Sequence, residues 1–328
     1  MALGAAGAGV RLHVVTGKGG AGKTTVAAAL ALALASGGHR VLLMEVEGRQ
    51  GIAQLFDVPP LPYEERRVAV AADGGDVFAL AVDPEAALYE YLDMYYHLGR
   101  ASAALRRIGA VEFATTVAPG VRDVLLTGKA YEAVRRRKGA SPVYDAVVLD
   151  APPTGRITRF LNVNSEVAGL AKMGPIRRQA DSIMGLLRSP QAAVHLVTLL
   201  EEMPTQETVD GAADLRAAGL PVGAVIVNQV RTPALRGASL QSAARGELDR
   251  AEIERGVSLV GLQAHTDLVD ALLREAADHA ERVRLERAER RRLRALGQPT
   301  YELDWQAEGV DLAGLYSLAE LLRDRESS

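Results

Sequence analysis

Six short apolar runs punctuate the chain: Val10–Thr16, Arg40–Val46, Val77–Val82, Tyr144–Asp150, Ala193–Leu199 and Val222–Asn228. Each is apolar on both faces, the pattern of strands buried on both sides of a parallel sheet. Helical spacing fills the intervals, and this alternation predicts a doubly wound, mostly parallel α/β sheet. The Ala/Leu run after Lys23 sets Val26, Leu30 and Leu34 four residues apart and stops at Ser36-Gly37-Gly38. It reads as a buried helix with Gly37 as its C-terminal stop.

Two intervals hold more helix than a crossover needs. Pro84–Leu98 opens with Pro-Glu-Ala-Ala and carries Leu88, Leu92, Tyr95 and Tyr96 on one stripe; Leu105–Ala114 and Val121–Arg137 continue it. Ile157–Leu187 is again mostly helical. The expectation is a single domain over residues 10–325, with a helical subdomain inserted at about 84–140 and 157–190. Near the end, Thr266 reads as the cap of a long helix reaching about Leu296, closed by Gly297 and Pro299. Between Glu281 and Arg294 this helix holds seven arginines and three glutamates. A solvated face of Glu/Arg pairs is one reading; a patch for nucleic acid or anionic lipid is the other. The leucines of Asp311–Glu326 share one face and its charges are mixed, so it should dock on the core and not on lipid.

Composition narrows the classes. The chain has 328 residues, 48% hydrophobic and 24% charged, as ordinary globular proteins do. A net charge of -3 argues against nucleic acid as a partner. With no cysteine, disulfides, thiolate metal sites and a cysteine nucleophile are excluded. The six histidines are scattered without metal-ligand spacing. The first nine residues are small and uncharged, unlike a signal peptide, and no apolar run other than the buried helix is long. A cytoplasmic protein without a direct membrane anchor is expected.

The chemistry sits in Gly17-Lys18-Gly19-Gly20-Ala21-Gly22-Lys23-Thr24-Thr25, which satisfies the P-loop pattern G-x-x-x-x-G-K-[ST] between a strand and a helix. Its glycines let backbone N–H groups converge on phosphates, and the following helix adds its positive dipole end. Lys23 is expected to reach the β- and γ-phosphates of ATP, Thr24 to hold Mg²⁺ through its hydroxyl, and Thr25 to bond the α-phosphate. Asp150, at the end of its strand, is placed as the carboxylate that holds Mg²⁺. No Asn-Lys-x-Asp guanine motif occurs. Lys18, directly after the first glycine, points out of the loop.

This loop resembles the deviant Walker A ATPases, in which the equivalent lysine crosses a dimer interface to the partner's nucleotide. The segment Asp150-Ala151-Pro152-Pro153-Thr154-Gly155-Arg156, with Arg159-Phe160-Leu161 after it, resembles the switch of the arsenite-pump ATPase family (ArsA). That family includes the ATPase that targets tail-anchored membrane proteins. Val82–Leu88, the Pro119-Gly120 turn, Asn228 within Ile226–Gln229, and Pro299 resemble further family landmarks, the last two flanking adenine. Glu47–Phe56 looks most like the actinobacterial anion-transporting branch. The resemblance implies a P-loop NTPase fold and a dimer that hydrolyses Mg-ATP, coupled to protein targeting or membrane transport.

Departures from the family matter too. Glu47 stands where the family has the Asp that orients the attacking water, and Ala151 and Arg156 replace the switch Thr and His. Glutamate can position water, but its extra methylene moves the carboxylate by about an ångström or more, which slows chemistry. Slow hydrolysis is therefore expected, unless the chain is a weakly catalytic regulatory subunit of a heterodimer. The chain corresponds to one half of the fused pump ATPase, so the resemblance implies a homodimer or a heterodimer with a paralogous subunit. The client would be a protein or membrane protein. Met94, Met173, Met184, Tyr89, Tyr91, Tyr95 and Tyr96 either line a client groove or pack the subdomain core. A P-loop of this kind also serves nucleotide-gated positioning scaffolds like MinD and ParA, and small-molecule kinases.

Overall fold

A computed structural model describes residues 9–96, 120–170 and 175–324. The predicted helix Leu105–Ala114, Pro119 and Met173 lie outside the described residues, as do the side chains of Tyr91, Leu92, Met94, Tyr95 and Tyr96.

The chain begins β1 (Leu12–Gly17), α1 (Lys23–Ala35), β2 (Arg40–Glu45), α2 (Gly51–Leu55), β3 (Arg66–Val70), β4 (Asp76–Ala81) and α3 (Pro84–Tyr96). It continues α4 (Val121–Arg135), a small hairpin β5 (Arg137–Lys138) and β6 (Ser141–Pro142), β7 (Ala146–Asp150), α5 (Thr154–Leu170) and α6 (Pro175–Leu187). The last part runs β8 (Ala192–Thr198), α7 (Glu202–Ala217), β9 (Val222–Val230), α8 (Gly237–Arg245), α9 (Arg250–Leu259), α10 (Thr266–Arg294), β10 (Thr300–Asp304) and α11 (Leu312–Asp324).

Eight strands form one sheet in the order β10-β9-β8-β1-β7-β2-β4-β3, parallel throughout except for β3 against β4. All six apolar runs became strands of it, with ends shifted by one or two residues. Their lack of alternation has a direct cause: both faces of the sheet are covered. Val15, Leu43, Val148 and Val197 face α1 and α11, while Val14, Leu42, Val147 and Leu196 face the side of α4 to α7.

α1 is apolar all round because the sheet covers one side and Leu315, Leu318, Ala319 and Leu322 of α11 cover the other. Its alanines permit that close double contact. Gly37, at φ 83°, ends the helix as expected. α11 docks on the core, opened by the Asp311 carboxylate, which accepts from the Gly314 N–H at 2.8 Å. Among the described residues, no helix is long and apolar enough to cross a membrane.

Two departures concern boundaries and edges. Thr266 is not a cap: it is already helical, and His265 occupies the cap position without a side-chain bond. β3 and β10 escaped the pattern because both are sheet edges. β3 starts with two exposed arginines, and β10 ends on an exposed Asp304 with only Tyr301 and Leu303 packed into the core on the α11 side. Along α10 the glutamates and arginines pair, Glu281–Arg284, Glu286–Arg290 and Glu289–Arg292; the first pair is exposed, whereas Glu286 and Glu289 are mostly buried. Met184 and Tyr89 are buried in the core.

Candidate nucleotide site

The sheet order puts β1 between β7 and β8, so successive crossovers leave in opposite directions at its carboxyl end. A ligand crevice opens at such a switch point. Gly17 to Gly22 turn over it, with Gly19 and Gly20 exposed at the crest and the Ala21 N–H donating to the Lys18 carbonyl at 3.2 Å. Gly22 sits in the left-handed region at φ 86°, and a Cβ there would lie 2.3 Å from Asn228 Nδ2. Only glycine satisfies both demands. No side chain caps α1, so the N–H groups of its first turn point into the crevice.

Lys23 is 8% exposed and its charge acts on the Asp150 carboxylate. Asp150 ends β7, and its Oδ2 accepts the Thr24 hydroxyl at 2.7 Å while Oδ1 is buried without a partner. Burial pushes its carboxyl up to about 6; the Thr24 bond and Lys23 oppose that rise, and Glu45 and Glu47 reinforce it. A hydroxyl beside a carboxylate with a free buried oxygen suits a hard cation such as Mg²⁺, which takes oxygen ligands. The switch segment is tied to β1: the Thr16 hydroxyl donates to the Pro152 carbonyl at 2.6 Å, and the Ala151 N–H to the Val15 carbonyl at 2.9 Å.

Glu47 lies on the loop after β2, its side chain 21% exposed and 3.6 Å from Arg49. That loop is pinned at three points. The Gln50 amide clasps Leu61 through two backbone bonds, the Ile52 N–H donates to Glu45 Oε2 at 3.2 Å, and Arg122 donates to the Val46 carbonyl. Gln50 and Gln229 both hold left-handed backbones, at φ 57° and 56°. Such non-glycine outliers concentrate at functional sites. Thr25 is half-buried in the first turn of α1.

Asn228 is 6% exposed, and its Nδ2 donates to the Ala21 carbonyl at 2.9 Å. One face of its amide therefore braces the phosphate loop. Pro299 makes its one described backbone contact with β9 and not with the phosphate loop. It leads into β10, the edge strand three places from β1, and its carbonyl accepts the Val225 N–H at 2.8 Å, partway along β9. Just after β10, Arg231 stacks on Trp305 at 4.3 Å. Sequence reasoning also missed Glu207 on α7, whose carboxylate lies 3.2 Å from the Lys18 ammonium.

The anion-transporting ATPase family (ArsA_ATPase) matches residues 10–190, the stretch that holds the phosphate loop, the Glu47 loop and Asp150. The ATPase BagA of Mycobacterium tuberculosis is 55% identical over 315 residues, covering 96% of this chain and 93% of that protein. The chain belongs to the anion-transporting ATPase family. Similarity extends to the ATPase GET3 of Malassezia globosa, 29% identical over 178 residues, covering 52% of this chain and 49% of that one. It extends also to a protein of Chlorobaculum tepidum provisionally named an arsenical pump-driving ATPase, 26% identical over 263 residues, covering 67% of this chain and 61% of that one. As a member of the anion-transporting ATPase family, the chain binds and hydrolyses ATP.

Proposed function

We propose that this ATPase works as a dimer that closes on two Mg-ATP molecules, each protomer serving its own triphosphate with Lys23 and its neighbour's with Lys18. The carrying observation is the opposed placement of the two lysines. Lys23 is buried toward Asp150, whereas the Lys18 side chain is 32% exposed and engages Glu207 on the outer surface of α7. A lysine so placed is free to leave the molecule that carries it.

Backbone N–H groups of the loop and of the first turn of α1 cradle the β- and γ-phosphates, and Lys23 neutralises them. Thr24 and Asp150 would hold Mg²⁺, which supplies charge neutralisation between the same phosphates. Glu47 orients water at the γ-phosphate; its anchored loop fixes the carboxylate but leaves it the longer glutamate arm. Lys18 from the neighbour stabilises charge that develops only during transfer, as arginine fingers do, for about 10³–10⁵ in rate. Asn228 braces the loop through its Nδ2 and would contact the adenine.

Closure is coupled to a client, a protein or membrane protein, through the helical segments flanking the sheet. α3, α4 and α6 enclose a cavity of about 310 Å³ lined by Ala87, Val124 and Leu125 together with Glu90, Lys129 and Glu132. Lys129 ties α4 to Glu90 of α3 across the rim, and Arg136 bridges Glu132 to Glu65 ahead of β3, on the sheet side. Such a link lets a change in the nucleotide half shift the population of a client-binding form.

The test is Glu47→Gln. With ATP and Mg²⁺ the variant should elute as a stable dimer carrying unhydrolysed ATP, with phosphate release reduced at least tenfold. A monomer under those conditions would remove the dimer, and unaltered turnover would remove the water-orienting role of Glu47.

A further inference from the structure

Glu45 ends β2 and is paired in register with Asp150 at the end of β7. In-register residues of parallel neighbours project from the same face of a sheet. Here that face is the one covered by α1, as Leu43 and Val148 two residues earlier show. Glu45 is 2% exposed and Asp150 8%. Each carboxylate has one oxygen met by a neutral donor, the Ile52 N–H for Glu45 and the Thr24 hydroxyl for Asp150. Their other oxygens, Glu45 Oε1 and Asp150 Oδ1, are buried without partners.

Charge balance sharpens the point. The charges of Glu45 and Glu47 act on Asp150, and Lys23 is the cation that opposes them there. Buried carboxylates are costly unless paired or ligating a cation. Two orphan oxygens on adjacent strand ends, in a site short of positive charge, are what a hard divalent ion satisfies. Ile52 or Thr24 alone would explain one carboxylate oxygen apiece; neither explains the second.

We propose that Glu45 is a second carboxylate of the magnesium site, acting with Asp150 through the oxygen each leaves free, so that this ATPase takes up a divalent cation before nucleotide. The proposal rests on the reading of Thr24 and Asp150 as magnesium-holding groups given above. It also gives the cation a structural consequence. Glu45 anchors the Glu47 loop through Ile52, so an ion held by Glu45 fixes that loop to the strand ends before ATP arrives.

The experiment uses the full chain without nucleotide and Mn²⁺ as the probe, with free ion read by electron paramagnetic resonance. The unmodified protein should bind one Mn²⁺ per chain. Glu45→Gln should weaken that binding at least about tenfold, the range for lost support of a metal site. Its amide oxygen still accepts from Ile52, and a melting curve checks the fold. Glu45→Asp, which keeps the charge, should retain more affinity than Glu45→Gln. Unmodified protein that leaves millimolar Mn²⁺ free overturns the proposal, as does equal affinity in Glu45→Gln. Binding of a fluorescent ADP analogue in EDTA separates the failures. If the unmodified protein binds no nucleotide, the reading of the phosphate loop falls; if it binds nucleotide and Glu45 proves indifferent to Mn²⁺, only this proposal does.

Discussion

Lys18 and Glu207 form an ion pair within one subunit, Nζ to Oε1 at 3.2 Å, with both side chains about one-third exposed. Exposed pairs of this kind contribute about 0–1 kcal/mol. The contact can therefore hold Lys18 out of bulk water yet yield it cheaply to a triphosphate. Glu207→Gln should lower stability by less than about 1 kcal/mol, read from chemical denaturation, and leave ATP affinity unchanged. A large loss of stability would make the pair structural. Gly211, one turn further along α7, lies so close to Thr154 that a Cβ there would meet its Cγ2 at 2.2 Å. The helix holding Lys18 is thus in contact with the start of α5, just after Asp150.

Asn228 makes its own prediction. Because its Nδ2 is bonded to the Ala21 carbonyl and both are buried, Asn228→Ala should cost about 1–3 kcal/mol, the penalty for an unmet buried acceptor. Denaturant melts with and without ADP should show that loss in both states. If Asn228 contacts only the base, the loss would appear in ADP affinity and leave the empty protein unaffected.

His13 on β1 and His195 on β8 are stacked in the sheet with ring centroids 5.3 Å apart. His195 Nδ1 accepts the Ala224 N–H at 3.1 Å, so its proton resides on Nε2, which donates to His13 Nδ1 at 3.1 Å. That chain requires both rings neutral. Burial lowers His13 to about 4, and burial with the His13 charge beside it lowers His195 as well. The unfolded chain binds more protons than the native one between about pH 4 and His's ordinary 6.5. Stability should be full above that ordinary value and fall as pH drops toward 4, by up to about 1.4 kcal/mol per pH unit for each ring. His13→Gln should flatten this acid limb in urea titrations between pH 4 and 7. An unchanged slope would assign acid lability elsewhere.

What the sequence disclosed follows from distance along the chain. Lys18, Lys23, Thr24 and Asp150 each sit at a fixed offset from a buried strand end, so pattern alone placed them around one crevice. The fold was legible for the same reason, since strands covered on both faces cannot hide their apolar runs. Partners supplied by tertiary packing were not legible. Glu207 reads as one more charge on a surface helix until α7 folds against the loop. Glu45 reads as the polar end of a strand until β7 brings Asp150 beside it. For Pro299, a proline after a helix implies a loop without saying which strand that loop leads into. Its carbonyl, bonded to Val225, belongs to the entry of β10, the edge strand beside β9.

The exchange of lysines between subunits is tested most directly by mixing two inactive variants. Lys23→Ala lacks its own phosphate grip but retains Lys18 to offer, while Lys18→Ala binds ATP but offers nothing to its neighbour. Each alone should release phosphate at least about 10³-fold more slowly than the unmodified protein. Mixed in equal amounts with ATP and Mg²⁺, they should recover a substantial fraction of the normal rate, because half of the dimers then contain one complete site. A mixture no faster than the sum of its parts would show that Lys18 serves its own subunit.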